Sequence, residues 1–287
     1  MDDGRHALSA PVVGAVIVTF RRPEVVLKTL AAVMAQSAPI AAVVVVDNDA
    51  DPLVHATIAS QWPSVQYLPL ADNRGFAAVL AAGIDWLCAR IAPAWYWLLD
   101  DDSPPDHSAL GSALAVAENA AGGGGAVGVV ANRGGHIIRG RIRHDLRQVQ
   151  GSEPRVADFT LVDGAIVAAA VAAEVGVPRA DLFMMLEDIE YTTRARLAGW
   201  RLLVRPMDDS AFFHLGSSAD WRGYYQARNH LRVAVDLHQW SWLWGWWVRE
   251  TGIGLNLLRR RRYRALRLRW RGAFDGVRNR MGKVVVP

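Results

Sequence analysis

Apolar and polar residues fall into two alternating patterns over the first hundred residues. Val12 to Thr19 is an apolar, β-branched run, and Pro23 then opens a helical stretch to Gln36. Proline is favoured at a first helical turn because its missing N–H would have no partner there. The pair recurs, with a strand over Ala41 to Val46, a helix around Leu53 to Gln61, a strand near Val65 to Leu68, a helix from Phe76 to Ala89 and a strand from Trp95 to Leu99. The continuous apolar run of Ala41 to Val46 marks a strand buried on both faces. Repeated βα units predict a mainly parallel sheet with right-handed crossovers.

In such sheets the binding crevice lies beyond the carboxyl ends of the strands. Three of those ends carry polar residues, Thr19-Phe20-Arg21, Asp47-Asn48-Asp49 and Asp100-Asp101-Asp102, so the three should converge in space. A helix from about His107 to Ala120, a flexible Gly122 to Gly125 connection and a strand near Val127 to Ala131 follow. The glycine run is not read as a phosphate loop, because no helix with a Lys-Ser/Thr signature follows it. Residues 132 to 160 form a polar, Arg-rich excursion, and Leu161 to Val167 resumes an apolar strand. Glu187 to Leu197 is a short amphipathic helix stopped at Gly199, with Trp200 to Val204 a further strand. Beyond His214 the pattern is helical.

Composition changes this picture in one respect. With 287 residues, 52% of them apolar, the chain can bury a full core, and its single cysteine, Cys88, excludes a disulfide scaffold and a cysteine-based zinc site. The net charge of +4 hides an uneven split. Residues 1–220 hold 17 Lys/Arg against 25 Asp/Glu, a net of −8, and residues 221–287 hold 15 against 3, a net of +12. An acidic body with a basic tail suggests two jobs, one using carboxylates and the other an anionic partner surface. The acidic N-terminus lacks the apolar stretch of a signal peptide, and no run reaches the ~20 apolar residues of a membrane span. A cytoplasmic protein, or one held on the inner face of the membrane, is expected.

Asp100-Asp101-Asp102 is the strongest local chemical signal. Adjacent carboxylates repel one another, and a divalent cation at a strand end offsets that repulsion. Alternate residues of an extended backbone point the same way, so Asp100 and Asp102 can reach one ion while Asp101 faces elsewhere. Mn²⁺ or Mg²⁺ held by one or two carboxylates usually completes its shell with water and substrate phosphates, which suggests a nucleoside-diphosphate ligand. An exposed acidic turn, helped by Ser103-Pro104-Pro105, is the alternative. His214, in a loop-like segment, is either an imidazole ligand or a packed residue beside two phenylalanines. Glu187-Asp188-Ile189-Glu190 at a helix start is either simple capping or the source of a general base.

The order of these features resembles inverting glycosyltransferases of family 2. The matching segments are VGAVIVTFRRPE (13–24), VVVVDND (43–49), ADNRGFAA (71–78), WLLDDDSPP (97–105), VDGAIV (162–167), LFMMLEDIEYTTRARLAGW (182–200), FFHLGSS (212–218) and WRGYYQARNHL (221–231). Several motifs in correct order are far more specific than any one of them. The resemblance implies an α/β, Rossmann-like GT-A catalytic domain over 1–220, with a mainly parallel sheet flanked by helices, and a helical extension over 221–287. It implies that Thr19, Arg21, Asp47, Arg74 and Asp101 hold the donor, that Asp100, Asp102 and His214 hold the metal, and that Asp188, preceded by Glu187, is the catalytic base. LFMMLEDIEY looks most like bacterial galactofuranosyl- and rhamnosyltransferases, which implies UDP-galactofuranose or dTDP-rhamnose as donor and a lipid-linked glycan or polysaccharide precursor of the cell envelope as acceptor. The helix after the NRG segment departs from the family, reading Phe76-Ala77-Ala78 and Ala81-Ala82-Gly83 where many relatives carry Gly-Gly and a downstream Asn.

Five tryptophans, Trp240, Trp242, Trp244, Trp246 and Trp247, crowd into eight residues, and Arg259 to Arg262 begin a run continued by Arg264, Arg267, Arg269 and Arg271. On a helix Trp240, Leu243, Trp244 and Trp247 share a face. Tryptophan favours the bilayer interface and arginine favours anionic headgroups, so residues 240–271 are expected to attach the protein to an anionic membrane surface. Packing on the catalytic domain, or at a homo-oligomer interface, is the other use of such residues. Nucleic-acid binding through the arginines is not expected, since no recognition motif appears and the body is acidic. A nucleotidyltransferase on a similar sheet is the nearer rival, but TFRRPE lacks the Gly-rich activating loop of such enzymes.

Overall fold

The computed structural model describes residues 11–146, 153–205 and 219–285. Strands and helices alternate first, as β1 (Val13–Thr19), α1 (Pro23–Met34), β2 (Ala42–Asp47), α2 (Pro52–Gln61), β3 (Gln66–Pro69), α3 (Phe76–Ile91), β4 (Trp95–Asp100), α4 (Ala109–Asn119) and β5 (Val127–Ala131). Next come β6 (Gly134–Ile138), β7 (Arg141–Leu146), β8 (Arg155–Val156), β9 (Phe159–Thr160), β10 (Ala165–Ala168), α5 (Ala169–Val175), α6 (Glu187–Leu197) and β11 (Arg201–Val204). Three helices follow, α7 (Asp220–Asp236), α8 (Trp240–Arg259) and α9 (Tyr263–Val277).

Eight strands form the central sheet in the order β3-β2-β1-β4-β10-β5-β11-β8, and β7-β6-β9 form a second, smaller sheet. Period-2 alternation divides β1 between two cores. Val13, Ala15 and Ile17 pack beneath α1 and α4, whereas Val16 and Val18 pack against α3 and α6. Gly83 lets α3 lie close on the sheet, since a Cβ there would come within 2.4 Å of Val16.

Strand direction explains where the chemistry gathers. β1, β2 and β4 are mutually parallel, with Thr19 beside Asp47 and Val18 beside Asp100, so their carboxyl ends share one edge. β10 is antiparallel to both of its neighbours, β4 and β5. Its entry, Asp163-Gly164, therefore arrives at that same edge. The apolar pattern predicted a strand from Leu161, yet regular pairing begins only at Ala165, because Gly164 turns the chain at φ +74°. α5 follows β10 with no glycine or proline between them, and so had no punctuation to announce it.

Of the crowded tryptophans, Trp242 is fully buried, while Trp240, Trp244 and Trp247 are more than half exposed. Arg269 is also buried, paired with Glu250 across α8 and α9 at 2.6 Å. Among the described residues no helix is long and apolar enough to cross a membrane.

Candidate active site

A cavity of about 380 Å³ opens at the carboxyl edge of the sheet, lined by Thr19 and Arg22 after β1, Asn48 after β2, Asn73 and Phe76 at α3, Asp100 to Ser103 after β4, Arg133, and Asp163 before β10. Met184, Met185, Glu187 and Asp188 line it from the approach to α6, and Trp221 and Arg222 from the first turn of α7. All three residues of the third strand end line the cavity, and Thr19 and Phe20 but not Arg21 do so from the first. From the second, Asn48 reaches the cavity and Asp47 does not.

Each acidic residue of the triplet has a different environment. Asp101 is 2% exposed, and both its oxygens are taken, Oδ2 by the Thr19 hydroxyl at 2.8 Å and Oδ1 by Arg22 at 3.0 Å. Arg22 also donates to Asp102 at 2.8 Å. Asp163 receives the backbone N–H of Asp100 at 3.0 Å, the Ser103 hydroxyl at 2.8 Å and an Arg133 N–H at 3.3 Å, and so fixes the turn that carries the triplet. Burial, with the nearby charges of Asp163, Asp101 and Asp102, pushes the Asp100 carboxyl up to about 8. Burial likewise raises Asp101, against the opposing pull of Thr19 and Arg22.

Among the described residues six carboxylates line this cavity (Asp100, Asp101, Asp102, Asp163, Glu187 and Asp188) against three guanidiniums, those of Arg22, Arg133 and Arg222. That excess, with carboxylate oxygens of Asp100, Asp101 and Asp102 all within 4.8 Å of one another, suits a hard divalent cation. Both oxygens of Asp101 are engaged, whereas Arg22 meets one oxygen of Asp102 and the Asp101 N–H one oxygen of Asp100, so Asp100 and Asp102 could hold such an ion. His214 lies outside the described residues.

Glu187 and Asp188 open α6, in the field of its N-terminal N–H groups. Burial and the charge of Asp188 raise Glu187, and one of its carboxylate oxygens has no hydrogen-bond partner among the described residues. Asp188 is also raised by burial, and its Oδ1 accepts the Ile189 N–H at 2.8 Å. A carboxylate held above its usual range in a cleft has the properties of a general base.

Three residues matched to donor positions lie outside the cavity lining. Arg21 adopts φ +57°, turns outward and pairs with Asp49 at 3.1 Å, so the neighbouring Arg22 faces the triplet instead. Asp47 is buried and accepts from the N–H groups of Asp49 and Asp51 and from Tyr67, which shapes the loop after β2. Arg74 is exposed, and its backbone N–H donates to Asn48 at 2.8 Å. The sequence pattern assigns no role to Arg22, Asp163, Arg133, Trp221 or Arg222, although Asp163 stands in the VDG segment and Trp221-Arg222 open WRGYYQARNHL.

Comparison with known proteins supplies the lineage. The model of the family described as "Glycosyltransferase like family 2" matches residues 10–215. The galactofuranosyltransferase GlfT1 of Mycobacterium tuberculosis is 31% identical over 236 residues, covering 77% of this chain and 76% of that protein. GlfT1 of Mycolicibacterium smegmatis is 31% identical over 204 residues, 66% of each chain. Among solved structures, a mannosyltransferase from Pyrobaculum calidifontis in complex with GDP-Man and Mn²⁺ aligns with a TM-score of 0.58 at 15% identity, covering 94% of this chain and 88% of that one. A 1–349 fragment of S. aureus TarS aligns with a TM-score of 0.55 at 16% identity, covering 78% of this chain and 64%, under two thirds, of that one. The solved structures share the GT-A fold. With its cavity at the carboxyl edge of that sheet and its family match spanning most of its length, the chain is a glycosyltransferase and belongs to the family-2 glycosyltransferases.

Proposed function

We propose that the protein is an inverting galactofuranosyltransferase, moving galactofuranose from UDP-galactofuranose to a hydroxyl of a lipid-linked glycan or polysaccharide precursor in cell-envelope synthesis. The observation that carries the reading is the meeting of the acidic triplet and Asp188 in one cavity, in a chain 31% identical to galactofuranosyltransferases. In the reaction the acceptor oxygen forms a bond to the anomeric carbon as the bond from that carbon to the diphosphate oxygen breaks. Asp188 takes the acceptor proton, and the electron pair leaves with the diphosphate. A single displacement inverts the configuration. Asp100 and Asp102, with His214 as a further ligand, hold Mn²⁺ or Mg²⁺, which supplies charge stabilisation for the leaving diphosphate. Thr19 and Arg22 keep Asp101 in place beneath that site, and Arg222 brings a cation to the cavity near Glu187. Arg21, Asp47 and Arg74 belong to the loops around the donor nucleotide.

Release of nucleoside diphosphate, UDP or dTDP according to the donor, with Mn²⁺ and a panel of alkyl glycoside acceptors is the test. UDP-galactofuranose should turn over fastest, and faster turnover of dTDP-rhamnose would overturn the galactofuranosyl assignment. Release of pyrophosphate would identify a nucleotidyltransferase instead.

Residues 1–220 form the catalytic domain in this reading, and 221–287 an extension that also lends Trp221 and Arg222 to the cavity. The extension holds the enzyme on the inner face of the membrane. Exposed Trp240, Trp244, Trp247 and Trp270 lie on helices α8 and α9, with exposed Arg259, Arg264 and Arg267 on the same helices and exposed Arg260 and Arg261 in the turn between them. Each basic residue at an anionic surface is worth about 1 kcal/mol, so neutralising Arg259, Arg260 and Arg261 to Gln should weaken binding to phosphatidylglycerol vesicles about 100-fold. Flotation measures it, and unchanged flotation would remove the membrane role.

A further inference from the structure

The backbone that delivers Asp188 is held in a form its own residues disfavour. Phe183, Met185 and Leu186 have φ of +63°, +71° and +70°, a region that crowds any residue bearing a Cβ, and Leu186 leads directly into Glu187 and Asp188. A buried pair on α7 supplies the restraint. The Asn229 amide nitrogen lies 3.0 Å from the Leu182 carbonyl oxygen, 2.9 Å from that of Met184 and 2.7 Å from that of Met185. Arg228 donates from Nε to Asn229 Oδ1 at 2.8 Å, which turns the amide N–H groups toward the loop. Its two Nη groups reach the Leu182 carbonyl at 2.9 Å and the Gly282 carbonyl at 2.7 Å. Both side chains are fully buried, and neither lines the cavity.

Two further contacts tie this loop to its surroundings. Gly282 donates its N–H to the Asp181 carbonyl at 2.6 Å. Gly75 packs so tightly beneath the Phe183 carbonyl that a Cβ there would come within 2.1 Å of the oxygen. The loop that presents the base and the loop after β3 are therefore in direct backbone contact.

We propose that Arg228 and Asn229 are positioning residues for sugar transfer, fixing the backbone of Leu182 to Leu186 and through it the Asp188 carboxylate. The inference rests on the reading of Asp188 as the base. An apolar residue of the same size would leave the part-buried carbonyls of Met184 and Met185 without this donor, with Leu182 still held by Arg228, and they could recover a partner only by moving the loop. A shift of about 1 Å in a catalytic group can cost about 100-fold in rate.

The test uses the full chain with UDP and Mn²⁺ as the binding probe, and UDP-galactofuranose with the best alkyl glycoside acceptor for turnover. Asn229→Leu should bind UDP–Mn²⁺ within about 2-fold of wild type while kcat per calorimetrically counted binding site falls about 100-fold. Asn229→Ser, which admits a water in place of the amide, should recover part of the loss, to about tenfold below wild type. A merely structural role would lower the number of binding sites but leave kcat per site unchanged. A folded Asn229→Leu with wild-type kcat per site would overturn the proposal, and if that variant does not fold, wild-type kcat per site in Asn229→Ser does so. Asp188→Asn measured alongside separates the two readings. Turnover surviving in Asp188→Asn removes the base assignment, whereas an inactive Asp188→Asn beside fully active Asn229 variants removes only the positioning role.

Discussion

Asp188→Asn should bind the donor nucleotide as the wild type does and lose transfer by a factor of about 10² to 10⁴, the usual contribution of a positioned base. The substitution is isosteric and keeps an oxygen for the Ile189 N–H, so the first turn of α6 is preserved. What disappears is the capacity to accept a proton. Because burial raises the Asp188 carboxyl above its ordinary range, wild-type kcat should rise with pH along a limb displaced upward from that of a solvated aspartate. The residual activity of the variant should lack that limb. The metal-free variant should also melt higher than wild type near neutral pH, since a charge repelling Glu187 in a buried site has been removed. Calorimetry with UDP and Mn²⁺, rate measurement and a melting curve together check all three outcomes.

Asp102→Ala should have its effect one step earlier, on donor binding. Loss of a ligand should weaken Mn²⁺ by at least the 10- to 100-fold seen when outer-shell partners of a metal are removed, and roughly the same factor should pass to UDP affinity measured with Mn²⁺. Identical UDP affinity with and without Mn²⁺ would reject the metal site. The site also carries a pH signature. Asp100 sits at about 8 in the folded protein, above its unfolded value. The native state therefore holds this proton while the unfolded chain loses it, and the stability of the metal-free protein should fall as pH rises from about 4 through 8. Mn²⁺ needs the charged carboxylate, so its stabilisation should grow over the same interval and be larger at pH 8 than at pH 5. Scanning fluorimetry across that range, with and without Mn²⁺, reads the difference directly.

Much of the catalytic half was legible because its signals are local. Acidic residues at the start and Gly199 after the end bounded α6 at Glu187 and Leu197, and the apolar runs of β1, β2 and β4 ended in the polar residues that now share one edge. What escaped depends on chain direction and backbone conformation, which such patterns do not encode. Arg22 rather than Arg21 meets the triplet because Arg21 takes a left-handed turn without a glycine to mark it. Asp163 reaches Asp100 because β10 runs antiparallel, whereas the repeated βα pattern points to parallel neighbours. Asn229 sits in a polar helical stretch whose sequence gives no sign that its amide faces three carbonyls. For the tryptophans, periodicity grouped Trp240, Trp244 and Trp247 correctly on an open face, but Leu243 is half-buried and packs with Trp242 in the cluster beside α7.

The antiparallel course of β10 also bears on how such an enzyme can diversify. β5 runs with β4 and ends at Ala131 on the catalytic edge, and β10 starts from that edge, so the excursion between Asn132 and Asp163 leaves and returns at one place. Its two ends contribute Arg133, Leu161, Val162 and Asp163 to the cavity, beside the β3-β2-β1-β4 ladder whose last strand ends at Asp100. Between those ends the excursion builds the β7-β6-β9 sheet and adds β8 to the far edge of the central sheet beside β11, so a change in its length meets the catalytic edge at Arg133 and the segment that ends in Asp163.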